Sequence, residues 1–274
     1  MSAHLSETDP MNTEPSRLAH GAYDLAFHKT EGNGPTLVWL GGFRSDMTGS
    51  KAMKVEEYAK ERGQPCLRFD YSGHGQSGGT FTDGTIGQWR DDAAAMIAAQ
   101  ALGDCILIGS SMGGWIALLL AMDEAARAKA EGRASFVKAL ILLAPAPDFT
   151  QALMWPRFTP EQQEAIIRDG QLAEESPYDP EPTIITHRLI EEGRNHLILD
   201  APIETACPVR ILQGVEDTAV PHEHALKLMD ALIHEDVVLT LIKDGDHRLS
   251  RDGDLATLVQ VLDALPTQAR GSLI

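Results

Sequence analysis

A pair of adjacent serines gives the first sign of chemistry in this sequence. The segment GSSMG at 109–113 fits the pattern G-x-S-x-G only when Ser111 stands at its centre. A nucleophile on a tight turn between a strand and a helix has a strained backbone, and the residues two before and two after it crowd together. Glycine at both places, Gly109 and Gly113, removes the Cβ atoms that would collide. The pattern therefore predicts Ser111 as a nucleophile and Ser110 as a small spacer beneath it.

A serine hydroxyl needs a base at neutral pH, and the base needs an acid that orients it. The order serine, acid, histidine, each just beyond a strand, is met by VEDTAVP after VRILQG and by KDGDHRLS after VVLTLI. We predict Asp217 as the acid rather than Glu216, because the shorter side chain followed by a turn and a proline fits a fixed loop. We predict His247 as the base in preference to three histidines on or near a predicted surface helix: His222, His224 and His234.

Negative charge that develops on a substrate oxygen needs hydrogen-bond donors. The predicted strand at 36–40 runs into GGF at 41–43, a flexible backbone able to present an N–H group without a side chain in the way. The helix predicted after Ser111 also points free N–H groups at the same place. We therefore predict that the backbone N–H groups of Phe43 and Met112 form an oxyanion hole.

Short apolar runs alternate with amphipathic stretches along the chain. Near-continuous apolarity predicts strands covered on both faces, and their alternation with helices predicts an α/β fold with a parallel sheet. The predicted strands are 36–40, 66–70, 105–109, 137–143, 209–213 and 237–242, and the predicted helices are 49–62, 86–101, 112–130, 222–233 and 254–264. The stretch 22–31 is expected to add one or two early antiparallel strands.

A proline-rich segment between 145 and 208 interrupts this alternation, with no strong strand and one clear helix at 159–170. Thr159 is expected to cap that helix, with Pro160 in its first position. Because an insert of this length in a compact domain is usually functional, we predict a helical cap over one edge of the sheet at about 146–207. Its apolar residues are predicted to line an acyl pocket or, alternatively, to form a plain cap core: Leu153, Met154, Trp155 and Phe158.

Composition narrows the classes of partner. With 23 basic and 40 acidic residues the formal charge is −17, which repels nucleic acid and anionic membrane surfaces. Three scattered cysteines fit core thiols rather than a disulfide framework or a metal cluster. No apolar run is long enough to span a bilayer, and the N-terminus lacks the pattern of a secretory or organelle signal. We predict a cytoplasmic protein with a flexible tail at 1–18, one domain at 19–274, no metal and no stable membrane insertion.

The motifs LGGF, RFDYSGHGQSGG, GSSMGGW, QGVEDTAVP and DGDHR together resemble the α/β-hydrolase superfamily from about residue 22 onward. Stretches such as GGFRSDMTGSKA and CPVRILQGVEDTAVP are similar to the mitochondrial α/β-hydrolase-domain esterases of animals, which cleave S-palmitoyl thioesters and drug acyl-glucuronides. The resemblance implies an eight-stranded, mostly parallel sheet flanked by helices, with a cap and no cofactor. It also implies the roles of nucleophile, acid and base for Ser111, Asp217 and His247.

The substrate implied by this resemblance is a small-molecule acyl ester or thioester, hydrolysed through an acyl-enzyme on Ser111. The superfamily leaves other chemistries open, among them amide hydrolysis, C–C bond hydrolysis and cofactor-free peroxidation. A small-molecule receptor that keeps the fold and the triad is an alternative from another class. Turnover of an activated ester separates the receptor from the enzymes.

Overall fold

Eight strands form one sheet in the computed structural model, which describes residues 14–101, 103–176 and 179–265. The strands are β1 (Ser16–His20), β2 (Tyr23–Thr30), β3 (Thr36–Leu40), β4 (Cys66–Phe69), β5 (Cys105–Ser110), β6 (Val137–Leu143), β9 (Val209–Gly214) and β10 (Val237–Ile242). Their spatial order is β1-β2-β4-β3-β5-β6-β9-β10. The pairs β1–β2 and β2–β4 are antiparallel and the other neighbours are parallel, so the predicted mostly parallel eight-stranded sheet is confirmed.

Helices cover both faces of this sheet. Strand side chains alternate between two hydrophobic cores, so that Ile106 and Ile108 belong to one core and Leu107 to the other. The first core holds helices α1 (Ser50–Arg62) and α7 (Asp252–Asp263), and the second holds α2 (Ile86–Gln100), α3 (Met112–Glu131) and α6 (His222–Ala231). No helix in the described ranges combines the length and the apolarity that crossing a membrane requires.

The predicted elements match the observed ones closely in the sheet and its helices. The strands at 36–40, 137–143 and 237–242 have the predicted bounds, and the other predicted strands and helices differ by one or two residues at their ends. The predicted tail is too long, however, because Ser16–His20 pairs with β2 and so takes residues 16–18 into the sheet. The rest of the predicted tail, at 1–13, lies outside the described residues.

The predicted cap contains a hairpin as well as helices. Between β6 and β9 lie α4 (Pro160–Asp169), the strands β7 (Gln171–Ser176) and β8 (Asp179–Thr186), and α5 (His187–Gly193). Thr159 caps α4 as predicted, accepting a hydrogen bond from the Gln162 amide. The prediction of a cap without strands is wrong. Both strands are edges of a two-stranded ribbon, where prolines such as those in β8 are tolerated.

The three cysteines are buried free thiols, as predicted. Burial raises the pKa of Cys66 and of Cys207 to about 12, and it raises the pKa of Cys105 as well. All three thiols are therefore protonated and unreactive at neutral pH, because the thiolate is the reactive form.

Candidate active site

Ser111 sits on a sharp turn between β5 and α3. Its backbone angles are φ 53° and ψ −116°, in a region that non-glycine residues rarely occupy. Hydrogen bonds hold the residue on both sides: its N–H donates to the Leu143 carbonyl at 2.9 Å, and its carbonyl accepts from the Ala146 N–H at 3.1 Å. The strained turn is therefore fixed by the neighbouring strand β6 and the chain that leaves it.

The two glycines of the pentapeptide are required by close backbone contacts. A Cβ atom at Gly109 would lie 2.3 Å from the Gly113 carbonyl oxygen. One at Gly113 would lie 2.0 Å from the carbonyl oxygen of Leu40, at the end of β3. This crowding is the steric reason for glycine at both positions that the sequence pattern predicts. The contact at Gly113 also brings the turn close to the end of β3.

Three side chains from separate parts of the chain form one hydrogen-bonded line. His247 Nε2 lies 3.1 Å from Ser111 Oγ, and His247 Nδ1 lies 2.8 Å from Asp217 Oδ2. The carboxylate of Asp217 is fully buried, whereas the His247 side chain is 24% exposed. This arrangement matches the geometry of a serine nucleophile, its base and the acid that orients the base.

The Asp217 carboxylate is held by donors on both oxygens. Oδ1 accepts from the backbone N–H groups of Ala219 and Val220 at 2.9 and 2.8 Å, and Oδ2 accepts from the Gln213 side-chain amide at 3.1 Å. Gln213 also donates to the Val220 carbonyl, which ties the amide to the same loop. Our sequence analysis missed Gln213, although a polar residue in the buried run VRILQ is a signal that could have found it.

The loops that carry the acid and the base are bonded to each other. The Glu216 N–H donates to the Gly245 carbonyl at 2.9 Å, and the Val215 N–H donates to the Ile242 carbonyl at 2.9 Å. Lys51, in the first turn of α1, donates from Nζ to the Arg248 carbonyl, next to His247. Burial lowers the pKa of Lys51 to about 8. The separation between acid and base is thus set by backbone contacts.

The two predicted oxyanion donors face the same cavity as the serine. Phe43 and Met112 both line this cavity beside Ser111 and His247. Met112 is the first residue of α3, and neither its N–H nor that of Phe43 donates to another described residue. Both amides are therefore available to a substrate oxygen.

The cavity extends from Ser111 beneath the cap and has a volume of about 190 Å³. Leu153 and Met154 line it, as the sequence predicts. Phe149, Val220 and Arg157 line it too and were not predicted. The walls are mostly apolar, which suits an acyl chain.

Trp155 and Phe158, for which the sequence leaves open the pocket wall or a plain cap core, do not contribute to the wall. A π-helical turn at Thr150–Met154 is followed by a 3-10 turn at Trp155–Arg157. Phe158 follows the 3-10 turn with an extended backbone, and its side chain meets that of Trp155 across the turn. Their rings pack edge to face with centroids 6.4 Å apart, in the core of the cap.

A second, larger cleft of about 570 Å³ opens on the other side of Ser111 and His247. Most of its lining residues have hydroxyl, basic or acidic side chains, including Ser45, Asp46, Lys51, Arg248 and Ser250. The nucleophile thus stands between an apolar cavity and a polar cleft.

The rejected alternatives lie elsewhere in the structure. Ser110 is buried at the end of β5, and Glu216 is exposed. His224 is buried with Nε2 2.7 Å from the Pro147 carbonyl, His222 lies beside Glu223, and His234 Nδ1 accepts from the Asp236 N–H. Within the ranges that the structure describes, no group of three or more His, Cys, Asp or Glu side chains could hold a metal ion.

Comparisons with known proteins agree with the fold. The family model described as serine aminopeptidase, S33 (Hydrolase_4) matches residues 47–254. The mouse protein named palmitoyl-protein thioesterase ABHD10, mitochondrial, is 37% identical over 245 residues, which cover 88% of this chain and 78% of the mouse protein.

Two solved structures are similar over most of their length. A protein of Agrobacterium vitis S4 described as a hydrolase has 42% sequence identity and a TM-score of 0.86, covering 93% of this chain and 99% of that one. Mouse α/β hydrolase domain-containing protein 10 has 35% identity and a TM-score of 0.81, covering 92% and 97%. The chain therefore belongs to the Hydrolase_4 family of α/β-hydrolases, and it is a hydrolase.

Proposed function

We propose that this hydrolase cleaves carboxylic thioesters and esters, with Ser111 as nucleophile, His247 as base and Asp217 as the orienting acid. The observation that carries the proposal is the continuous line of hydrogen bonds, 3.1 Å from Ser111 to His247 and 2.8 Å from His247 to Asp217. A base within hydrogen-bond reach of its nucleophile is the geometric requirement for general-base catalysis.

In the first half of the reaction, Ser111 Oγ attacks the acyl carbonyl carbon while His247 Nε2 takes the hydroxyl proton. The carbonyl oxygen becomes negative and accepts hydrogen bonds from the Phe43 and Met112 amides. The leaving thiol or alcohol departs with the proton from His247, and the acyl group stays on Ser111. In the second half, His247 activates a water molecule, which releases the carboxylic acid.

We assign the apolar cavity to the acyl group and the polar cleft to the leaving group. The cavity wall is mostly apolar, whereas the cleft wall carries hydroxyl and charged side chains. A leaving group such as a peptide cysteine or a sugar is polar, and it would keep its hydrogen bonds in such a cleft. The relatives named palmitoyl-protein thioesterase support the thioester as a substrate class.

The size of the cavity bears on the acyl chain. Its volume of about 190 Å³ is below the range of roughly 300 to 1,000 Å³ common for ligand pockets. We therefore propose that short and medium acyl chains fit the closed cap and that a palmitoyl chain requires the cap to move.

The experiment that tests the proposed function is a substrate panel with covalent labelling. We expect turnover of p-nitrophenyl esters and of S-acyl peptide thioesters, with kcat/KM changing along the series from acetyl to palmitoyl. A fluorophosphonate should label Ser111, identified by peptide mapping. A label on another residue, or binding of these compounds without turnover, would contradict the proposal.

Opposite changes at Leu153 should shift the preferred chain length in opposite directions. Leu153→Trp fills the cavity, and excluding two methylenes at about 0.8 kcal/mol each lowers kcat/KM for an octanoyl ester about tenfold relative to an acetyl ester. Leu153→Ala enlarges the cavity and should favour longer chains. Trp155→Ala is the matched control, because Trp155 lies outside the cavity wall. If the ratio of kcat/KM for the octanoyl ester to kcat/KM for the acetyl ester is unchanged in both Leu153 variants, the assignment of this cavity to the acyl chain is wrong.

The pH dependence should identify the base. Only neutral His247 can accept the Ser111 proton. A plot of log kcat/KM against pH should therefore rise with a slope of one on the acid side and then level off. Replacing His222, His224 or His234 by Ala should leave this acid limb in place, because none of the three contacts Ser111. Loss of the limb in one of these variants would mean that the base is misassigned.

The partners and the location of the protein are further predictions. A small acyl compound is the proposed partner, and the formal charge of −17 disfavours nucleic acid. The relatives are named as mitochondrial proteins, so the predicted cytoplasmic location stays a prediction. Fractionation of cells that express the native gene, followed by immunodetection, would test it.

A further inference from the structure

The loop that presents the Phe43 amide has an unusual conformation. Arg44, the next residue, has a left-handed backbone with φ 57°, which is uncommon for a residue with a side chain. Ser45 closes a local turn by donating from its N–H to the Gly42 carbonyl at 3.1 Å. Beyond this turn, the loop is held by the Arg44 side chain, whose Nη1 donates to Thr183 Oγ1 at 2.7 Å, and by the Arg44 backbone amide.

That amide donates to a histidine from another loop. The backbone nitrogen of Arg44 lies 3.3 Å from Nε2 of His74 and donates to it. His74 follows β4, in the motif FDYSGHGQSGG. The other ring nitrogen, Nδ1, lies 3.1 Å from the Ser72 carbonyl. A carbonyl can only accept, so Nδ1 carries the hydrogen and Nε2 is left as the acceptor.

The surroundings of His74 keep it in this state. The residue is only 4% exposed, and its ring packs edge to face against Tyr71, Phe81 and Trp89, with centroids 5.7, 5.2 and 5.1 Å away. Burial lowers the pKa of His74 to about 4, so the ring is neutral throughout the working range of a neutral hydrolase.

Phe43 rests on the same aromatic group. Its ring centroid lies 5.0 Å from that of Phe81 and 5.9 Å from that of Trp89. Trp89 is itself fixed, because its Nε1 donates to the Ser72 carbonyl that also accepts from His74. The side chain of Phe43 and the peptide group that joins Phe43 to Arg44 are thus both anchored to one rigid cluster, so that two of the substituents of the Phe43 α-carbon are held.

We propose that His74 is a positioning residue for the reaction: by accepting the Arg44 N–H, it fixes the loop that aims the Phe43 N–H at the substrate oxygen. The proposal rests on the proposed function, since it concerns the oxyanion hole of that site. Among the described residues, His74 contacts neither Ser111 nor the wall of the substrate cavity. Its direct link to the oxyanion loop is the Arg44 hydrogen bond, beside its ring contacts with Phe81 and Trp89, on which Phe43 also packs.

Two amide variants separate the two hydrogen bonds of the ring. Asparagine reaches about as far as Nδ1, so His74→Asn keeps a donor for the Ser72 carbonyl and loses the acceptor for Arg44. Glutamine reaches about as far as Nε2, so His74→Gln keeps an acceptor for Arg44 and loses the donor near Ser72. A purely structural role gives no reason for the second variant to be more active than the first.

Loss of an oxyanion-hole donor costs about a hundredfold to a thousandfold in kcat, and misaligning one costs less. For His74→Asn we therefore expect kcat to fall about tenfold to a hundredfold with KM little changed, and for His74→Gln we expect most of the rate to return. Each rate is divided by the concentration of active sites, which is measured by complete labelling with a fluorophosphonate. His28→Asn, at a half-buried histidine of β2, is the matched control and should keep the native rate.

A trifluoromethyl ketone provides a readout that a folding defect would not produce. It forms a tetrahedral adduct with the serine and needs the oxyanion hole, so its inhibition constant should rise in His74→Asn by about the factor by which kcat/KM falls. Equal activity per titrated site in His74→Asn and the native enzyme, or equal losses in both His74 variants, would overturn the proposal. Ser111→Ala distinguishes a failure of the His74 proposal from a failure of the proposed function. If Ser111→Ala stays active, the proposed function itself has failed.

Discussion

Ser111→Ala should lower kcat for an activated ester by a factor on the order of 10⁶ while the protein stays folded. Only the hydroxyl group is removed. Its oxygen lies 3.1 Å from His247 Nε2, at the end of the hydrogen-bonded line, and is the proposed attacking atom. Without it, the base and the acid have no nucleophile to activate. The measurement is steady-state hydrolysis of a p-nitrophenyl ester together with circular dichroism of both proteins.

The adjacent serine provides a matched control. Ser110→Ala removes the same atom one residue away, from a buried side chain at the end of β5. This variant should retain substantial turnover and should still be labelled by a fluorophosphonate at Ser111. Equal losses in both variants would show that the turn, rather than the Ser111 hydroxyl, had been damaged.

Asp217→Asn should lower kcat by a factor on the order of 10⁴. Every described neighbour of this carboxylate is a donor: two backbone N–H groups on Oδ1, and the Gln213 amide and His247 Nδ1 on Oδ2. An asparagine must place its NH₂ group against one of these sets. The two backbone N–H groups continue to donate to the side-chain oxygen of the asparagine, so its NH₂ group faces His247 Nδ1. This favours the tautomer with the proton on Nε2, and a protonated Nε2 cannot accept the Ser111 proton.

The same contacts supply the test of that explanation. Asp217→Asn should still be labelled by a fluorophosphonate at Ser111, only more slowly, and a crystal structure of the variant should keep the loop at 215–220 in place. Substantial remaining activity, within tenfold of the native rate, would exclude Asp217 as the acid. Glu216→Gln is the control, because Glu216 is exposed and should have little effect.

The sheet and the proposed triad could be predicted because each has a local signal. Strands buried on both faces have near-continuous apolar sequences, as in VKALILL at β6, and a nucleophile turn demands glycine at fixed places. The acid and the base follow the apolar runs VRILQ and VVLTLI, so chain order limited the candidates. The turn and proline after Asp217, and the predicted surface helix near the other histidines, decided for Asp217 and His247.

The features that could not be predicted depend on contacts made in three dimensions. The strand QLAEES of β7 has no apolar alternation and is defined only by its pairing with β8. Strand β1, SRLAH, is mostly exposed and polar in its pattern, and it too is recognisable only from its partner. Which residues at 153–158 face the cavity depends on the type of helical turn there, and propensity does not decide between a π turn and a 3-10 turn.

The proposed triad joins residues that are far apart along the chain, and this has a consequence for folding. Ser111 and His247 are 136 positions apart, and His247 follows β10, an edge of the sheet and the last strand of the part of the chain that the structure describes. Contacts with such large sequence separation cost loop-closure entropy and tend to form late. A nascent or partly folded chain can present the serine turn and the oxyanion loop without any base, and it is then inert toward esters. Recovery of activity during refolding would therefore time the docking of β10 on β9, the step that delivers His247 to its nucleophile.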